Sequence, residues 1–135
     1  MAKRGKPVRQ AAVIAVHQGL ICLITSSSGK RWLLPKGNLE HGHKLQQTAI
    51  QEAWEEAGLV GTLTKTPVGE YRYEKLGRSH RVVVFRMKVT QVKRDWPERN
   101  RRRRRWLRPG KAADQIEDAQ LRKILDVVAH PRRAA

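Results

Sequence analysis

With one cysteine in 135 residues the chain cannot close a disulfide within itself, and that residue, Cys22, lies inside the apolar run Leu20, Ile21, Cys22, Leu23, Ile24. A thiol so placed reads as a small buried hydrophobe on a strand and not as a nucleophile. Long apolar stretches are missing as well. The first residues, Met1 to Lys6, are basic, but polar Arg9 and Gln10 follow, with no run long enough for a signal peptide or a membrane span. The expectation is a cytoplasmic protein with no membrane partner. No internal repeat is evident, which excludes a solenoid. Aromatic residues are few, and nothing in their placement suggests a platform for stacking single-stranded bases. Acid is scarcest of all: 12 Asp and Glu stand against 29 Lys and Arg, a formal charge of +17. Such an excess implies a polyanionic partner or substrate without identifying it. The length suits one domain with a real core, expected over 9–130 between a flexible basic segment, 1–8, and a tail, 131–135.

What acid there is gathers near the end of the stretch 35–59. If 44–57 is one helix, each residue turns about 100°, and Glu52, Glu55 and Glu56 fall within an arc of roughly 100°. Like charges one turn apart repel by a few tenths of a kcal/mol per pair, so the face is a local defect unless a cation offsets it. Oxygen donors alone, with no cysteine or positioned histidine among them, suit a hard cation: Mg²⁺, with Mn²⁺ possible, before zinc.

In chain order, Ala11–Val16 and Leu20–Thr25 have the density of buried strands, and His17, Gln18 and Gly19 suggest a hairpin between them. Ser26 to Lys30 follows as a polar loop, then a short strand that Pro35 must end. Leu45, Ala49, Ala53 and Ala57 form an i, i+4 ridge of mostly small side chains, with Ile50 and Trp54 widening the apolar side. Gly58 stands where a left-handed helix cap is expected, whereas no capping residue precedes Lys44. Further strands are expected over 63–73 and 81–92, joined by a loop, 74–80, whose acid, base and imidazole could line a site. A last helix is expected over 112–129, closed by His130 and Pro131.

The order of elements and the acidic helix together resemble the Nudix hydrolases. Gly37, Glu52, Ala53, Glu55, Glu56, Gly58 and Leu59 fall in register with that family's box, while His43 stands where its first Glu is usual and Gln51 where its Arg is usual. The Arg of the family helps to orient the box carboxylates, a role Gln51 can share by hydrogen bonding but without charge. Trp32 to Gly37 and Trp96, Pro97, Glu98 leading into the arginines and Trp106 are similar to the branch of diphosphoinositol polyphosphate phosphohydrolases and their bacterial relatives. The resemblance implies an α+β Nudix fold, a mixed sheet sandwiched between helices. It also implies hydrolysis of a phosphoanhydride in a diphosphoinositol polyphosphate or a dinucleoside polyphosphate such as a diadenosine polyphosphate.

On that resemblance Glu52, Glu55 and Glu56 are the catalytic candidates, and with Gly37 they are the metal candidates. Ser27, Lys30, Arg31 and Lys36 are candidates for phosphate contact. The arginine run adds more. If 101–105 is strand-like, Arg101, Arg103 and Arg105 face one side and Arg102, Arg104 and Trp106 the other, so only one set can line the pocket. The first set is taken as the substrate-binding one. A second enzyme reading is removal of pyrophosphate from RNA 5′ ends. A reading from another class is a catalytically degenerate Nudix module that binds nucleic acid.

Overall fold

The computed structural model describes residues 5–129, so the basic lead-in before Gly5 and the expected stop at His130 and Pro131 lie outside the described residues. The chain runs β1 (Val8–His17), β2 (Leu20–Thr25), β3 (Trp32–Leu33), β4 (Lys36–Asn38), α1 (Leu45–Ala57), β5 (Leu59–Leu63), β6 (Gly69–Lys75), β7 (Arg78–Val92), β8 (Arg104–Leu107), α2 (Pro109–Gln115) and α3 (Ala119–Ala129). All eight strands join one mixed sheet.

At its centre β1 and β7 pair in parallel, from Val8 with His80 to Val16 with Lys88. Both strands are covered on both faces over 11–15 and 82–85, where they read as unbroken apolar runs, whereas β7 alternates beyond Phe85, with Met87 and Val89 buried and Arg86, Lys88 and Thr90 exposed. Ala11, Val13, Ala15, Val83, Phe85 and Met87 face the Ala49, Ala53, Ala57 ridge of α1. Ala12, Ile14, Val82 and Val84 face Ile116, Leu121 and Leu125 of the α2–α3 side. The mixed sheet is therefore sandwiched between helices, as expected. The β1–β2 hairpin closes through Gln18 and Gly19, both at positive φ, as a two-residue turn between twisted strands requires.

Four expectations are corrected. The strand expected over 63–73 is two, because the chain turns through Lys65, Thr66 and Pro67 between β5 and β6, and Pro67 has no amide to give a ladder. The loop expected over 74–80 is a tight hairpin in which Lys75 pairs with Arg78, and Leu76 and Gly77 take the turn at positive φ. The last helix breaks at Ile116, whose extended backbone buries its side chain, and restarts where Asp118 Oδ1 accepts the amide of Leu121. Ile50 and Trp54 are exposed on the outside of α1 and do not widen its packed side.

The ends of α1 hold the acidic face in place. At its start the Lys44 amide donates to Oε1 of Gln47, half of a capping box supplied from inside the helix. At its end Gly58, φ 68°, donates to the carbonyls of Ala53 and Trp54. Trp96 packs so closely there that a Cβ on Gly58 would come within 2.9 Å of its ring. Arg104 completes the cap: one Nη1 reaches the carbonyls of Ala57 and Lys93, and its guanidinium lies 4.2 Å from the Trp96 ring centre.

Candidate active site

Each carboxylate of the α1 face meets a different neighbour. Glu56 is buried, its Oε1 accepting the backbone amide of Lys36 at 2.9 Å and its Oε2 the Arg102 guanidinium at 3.1 Å. Burial pushes its carboxyl up to about 7, against the pull of the Lys36 amide and Arg102. Glu52 is half-buried and pushed up to about 8, first by desolvation and then by the charges of Glu56, Glu55 and Glu98. Its carboxylate lies against Gly37 so closely that a methyl group on that glycine would occupy the same space. Gly37 is therefore required by room, not by backbone freedom. Glu55 lies nearer solvent and accepts from Gln51 Nε2 at 2.7 Å.

Two residues that the sequence reading passed over complete the group. Arg102 donates from Nε to Glu98 Oε1 at 3.0 Å, from Nη2 to Glu56 and from Nη1 to the Thr25 carbonyl, and its side chain is only 15% exposed. Glu98, tied by its amide to the Glu55 carbonyl, brings a fourth carboxylate. Arg102 shares its parity with Trp106, whose ring packs on the α1 side of the sheet, but Leu107 gives the other set a packed neighbour as well, so parity did not single it out. Glu98 stood in the sequence only as part of the Trp96, Pro97, Glu98 resemblance, with no role attached to it.

The remaining expected residues divide among three spaces. Ser27, Arg31 and Lys36 line a cleft of about 410 Å³ with Glu56, Arg102 and Tyr73. Lys30 lines an adjoining cavity. Arg101 and Arg103 line a groove that adjoins the cleft at Ser27 and Arg102 and runs beside Ser28 and Trp32. Arg105 lies over the Trp32 ring, 5.7 Å from its centre. The structure thus brings Arg102, and not Arg101, Arg103 or Arg105, to the glutamates. Ser26 and Ser28 are spent on their own loop: their hydroxyls lie 3.1 Å apart, and the Arg31 amide donates to Ser26 Oγ. Away from the cleft, His43 Nδ1 stands 3.9 Å from exposed Glu40.

As the side chains stand, no group of three or more carboxylates, imidazoles and thiols converges to hold a cation among the described residues. The donor chemistry nevertheless fits a hard divalent ion. Glu52, Glu55 and Glu56 share one helix face, burial and then the neighbouring carboxylates raise Glu52, and no imidazole or thiol stands among them.

The NUDIX domain profile matches residues 6–128. Among curated proteins, Nudix hydrolase 4 of Arabidopsis thaliana is 31% identical over 108 residues, 78% of this chain and 52% of that protein. Diphosphoinositol polyphosphate phosphohydrolase 3-alpha of Mus musculus is 34% identical over 101 residues, 72% of this chain and 56% of that protein. The chain spans about half the length of these relatives. Among solved structures, a NUDIX hydrolase from Nitrosomonas europaea superposes with a TM-score of 0.78 at 16% identity, covering 93% of this chain and 90% of that one. An Ap4A hydrolase of C. elegans in a binary complex gives 0.72 at 21% identity, covering 95% and 99%. Fold, box and profile agree, and the chain belongs to the Nudix domain family.

Proposed function

We propose that the chain is a metal-dependent hydrolase of phosphoanhydride bonds in a polyphosphorylated small molecule, either a dinucleoside polyphosphate or a diphosphoinositol polyphosphate. The observation that carries this reading is Glu56, fixed by the Lys36 amide and Arg102 in the wall of a cleft that Arg31, Lys36 and Ser27 also line, with Glu52 one turn along α1 packed against Gly37. Acid on one helix face, set beside cations, suits a divalent ion and a chain of phosphates together.

Glu52, Glu55 and Glu56, beside Gly37, would hold Mg²⁺ or Mn²⁺. When bound, such an ion supplies neutralising charge for the phosphates and acidifies a coordinated water. The chain's own residues do the rest. Arg102 and the Lys36 amide fix Glu56, so its carboxylate meets the reaction already oriented. The Lys36 ammonium and Arg31 offset charge on the phosphates as the leaving group departs. Glu55, held through one oxygen by Gln51, keeps the other to receive the proton of the attacking water. A cytoplasmic location belongs to the same reading, on the strength of the lone buried Cys22, whose thiol burial pushes up to about 12.

Release of phosphate or nucleotide with Mg²⁺ from diadenosine polyphosphates and diphosphoinositol polyphosphates is the direct test. Glu52→Gln and Glu56→Gln are each expected to lower turnover roughly a hundredfold or more; Glu52→Gln should leave the fold intact, while Glu56→Gln takes one of two carboxylates from Arg102 and should cost some stability. Near-normal rates in both would remove the metal site. The groove of Arg99, Arg101 and Arg103 supports a second reading, an RNA contact. Tight, salt-dependent RNA binding without any hydrolysis would favour that reading over the enzyme.

A further inference from the structure

A row of polar side chains crosses the centre of the sheet on the face it turns toward α2 and α3. The Lys36 ammonium donates to the Tyr73 hydroxyl at 2.9 Å, that hydroxyl donates to Gln10 Oε1 at 2.7 Å, and Gln10 Nε2 donates to Asn38 Oδ1 at 2.8 Å. Three strands supply these four residues. Gln10 of β1 stands in register with Asn38 of β4, while Tyr73 reaches them from β6, on the far side of β7. From β7 comes His80, whose ring stacks on Tyr73 with centres 4.7 Å apart and planes 15° from parallel. The phenol is thus held at its ring by one residue and at its oxygen by two others.

The direction of every hydrogen bond in this row is dictated from the lysine end. An ammonium can only donate, so the Tyr73 oxygen must accept from Lys36 and send its own proton elsewhere. Gln10 can take that proton only through Oε1, which leaves Nε2 to be satisfied by Asn38. With the amide turned the other way, the phenol would face donors on both sides. Gln10 is 7% exposed, and both ends of its amide are used, as burial requires. That need accounts for a glutamine at the head of the apolar run of β1. Because Tyr73 spends its proton inside the protein, its oxygen presents only lone pairs to the cleft it lines beside Lys36, Arg31 and Glu56. Lone pairs attract an ammonium and repel a phosphate oxygen.

We propose that Gln10, Asn38, Tyr73 and His80 are positioning residues that hold the Lys36 ammonium ready for a phosphate in the cleft, Tyr73 acting through Lys36 and not by touching the phosphate itself. A loose lysine loses rotamer freedom when it closes on an anion, and one already tethered through a single N–H loses less, so the tether shows as affinity. The inference rests on the hydrolase reading for what Lys36 contacts, and goes beyond it in assigning what holds Lys36.

Calorimetric titration of the metal-free chain with inorganic tripolyphosphate reads the Lys36 contact without turnover. Lys36→Met, which keeps the main-chain amide on Glu56, is expected to weaken binding roughly tenfold or more. Tyr73→Phe keeps the ring on His80 and removes one oxygen; it should weaken binding roughly three- to tenfold. Gln10→Met should cost less, because the phenol keeps its lone pairs and loses only their orientation. His80→Ala should behave like Gln10→Met, with His80→Phe restoring the parent affinity. In the Lys36→Met background neither Tyr73→Phe nor Gln10→Met should weaken binding further, since both act through the ammonium. An effect that persists without Lys36 would mean direct phosphate contact or a general structural role, and overturns the proposal. Unchanged affinity in Tyr73→Phe, or no binding of tripolyphosphate by the parent chain, overturns it as well. A chain that shows this coupling yet cleaves nothing keeps the positioning residues and loses the hydrolase. One that cleaves, while the losses from Lys36→Met and Tyr73→Phe simply add, keeps the hydrolase and loses the positioning residues.

Discussion

The two ends of the acidic face on α1 are built in different ways. At the buried end Glu56 and Glu98 share the guanidinium of Arg102, with carboxylate side chains 11% and 18% exposed. At the outer end Glu55 takes a hydrogen bond from Gln51 near solvent, and farther out His43 stands loosely beside Glu40. Exposed partners one helical turn apart are worth a few tenths of a kcal/mol. Removing one partner of a buried pair costs about 3–5 kcal/mol, because the other charge is left without compensation. Both departures from the family's box, His43 and Gln51, fall at the end where a change costs little. The buried end draws its guanidinium from a residue 46 positions along the chain. Glu56 thus takes its orientation and its compensating charge from Lys36 and Arg102, outside the helix, and not from position 51.

Replacing Arg102 by Leu strikes this contrast hardest. It leaves Glu56 and Glu98 buried without their cation and frees the Thr25 carbonyl, so urea denaturation should show a loss of about 3–5 kcal/mol together with loss of turnover. A midpoint equal to that of the parent chain would mean that the buried pairs do not hold this end together. Gly37→Ala acts on the same end by shape. The new methyl group must displace either the Glu52 carboxylate or the β4 backbone, at a cost of about 1–3 kcal/mol, and Mg²⁺ affinity should fall with it.

A smaller effect, screened by the solvent that reaches Glu52, is expected from pH. Folding raises this carboxyl from about 4.5 to about 8, so between those values the folded chain holds a proton that the unfolded chain releases. The stability from this group is complete below about pH 4.5 and is lost as pH rises through 8. Scanning calorimetry of the metal-free chain against Glu52→Gln should show the parent losing Tm relative to the variant from pH 5 to 8. Mg²⁺, which favours the ionised form, should raise the parent's Tm more at pH 8 than at pH 5. The opposite trend in either comparison would contradict the burial of Glu52 and the acidic neighbours around it.

What the sequence revealed follows from the range of each interaction. Glu52, Glu55 and Glu56 were legible as one face because the helical period alone sets their parity, and the Gly58 cap because αL geometry is a local demand. The alternation of exposure along 101–105 was legible too, although the strand itself begins only at Arg104, but not which set faces the glutamates, since that depends on what covers each face of the sheet. Trp106 packs toward α1 and Leu107 toward α2 and α3, so hydrophobicity gave both parities a buried neighbour. Tyr73 and Asp118 stayed invisible as cavity walls because they meet Trp32 only through the tertiary fold. The breaks at 64–68 and 116–118 were missed because their flanks keep apolar residues at spacings that continue the preceding pattern.

The smallest expected effect separates the two ends most finely. Gln51→Ala removes a single exposed hydrogen bond and should cost about 0.2–0.5 kcal/mol of stability. Any change in rate should then appear in kcat and not in KM, because Glu55 loses its tether while the cations of the cleft are untouched. Gln51→Arg restores the residue usual in the family and adds an ion pair of similar size to Glu55. It should leave the Arg102→Leu variant as unstable as before, since an exposed guanidinium does not reach buried Glu56 and Glu98. Were Gln51→Arg to rescue Arg102→Leu in urea, the two arginines would be interchangeable. The acidic face would then be one continuous network instead of a rigid buried half and a loose outer half.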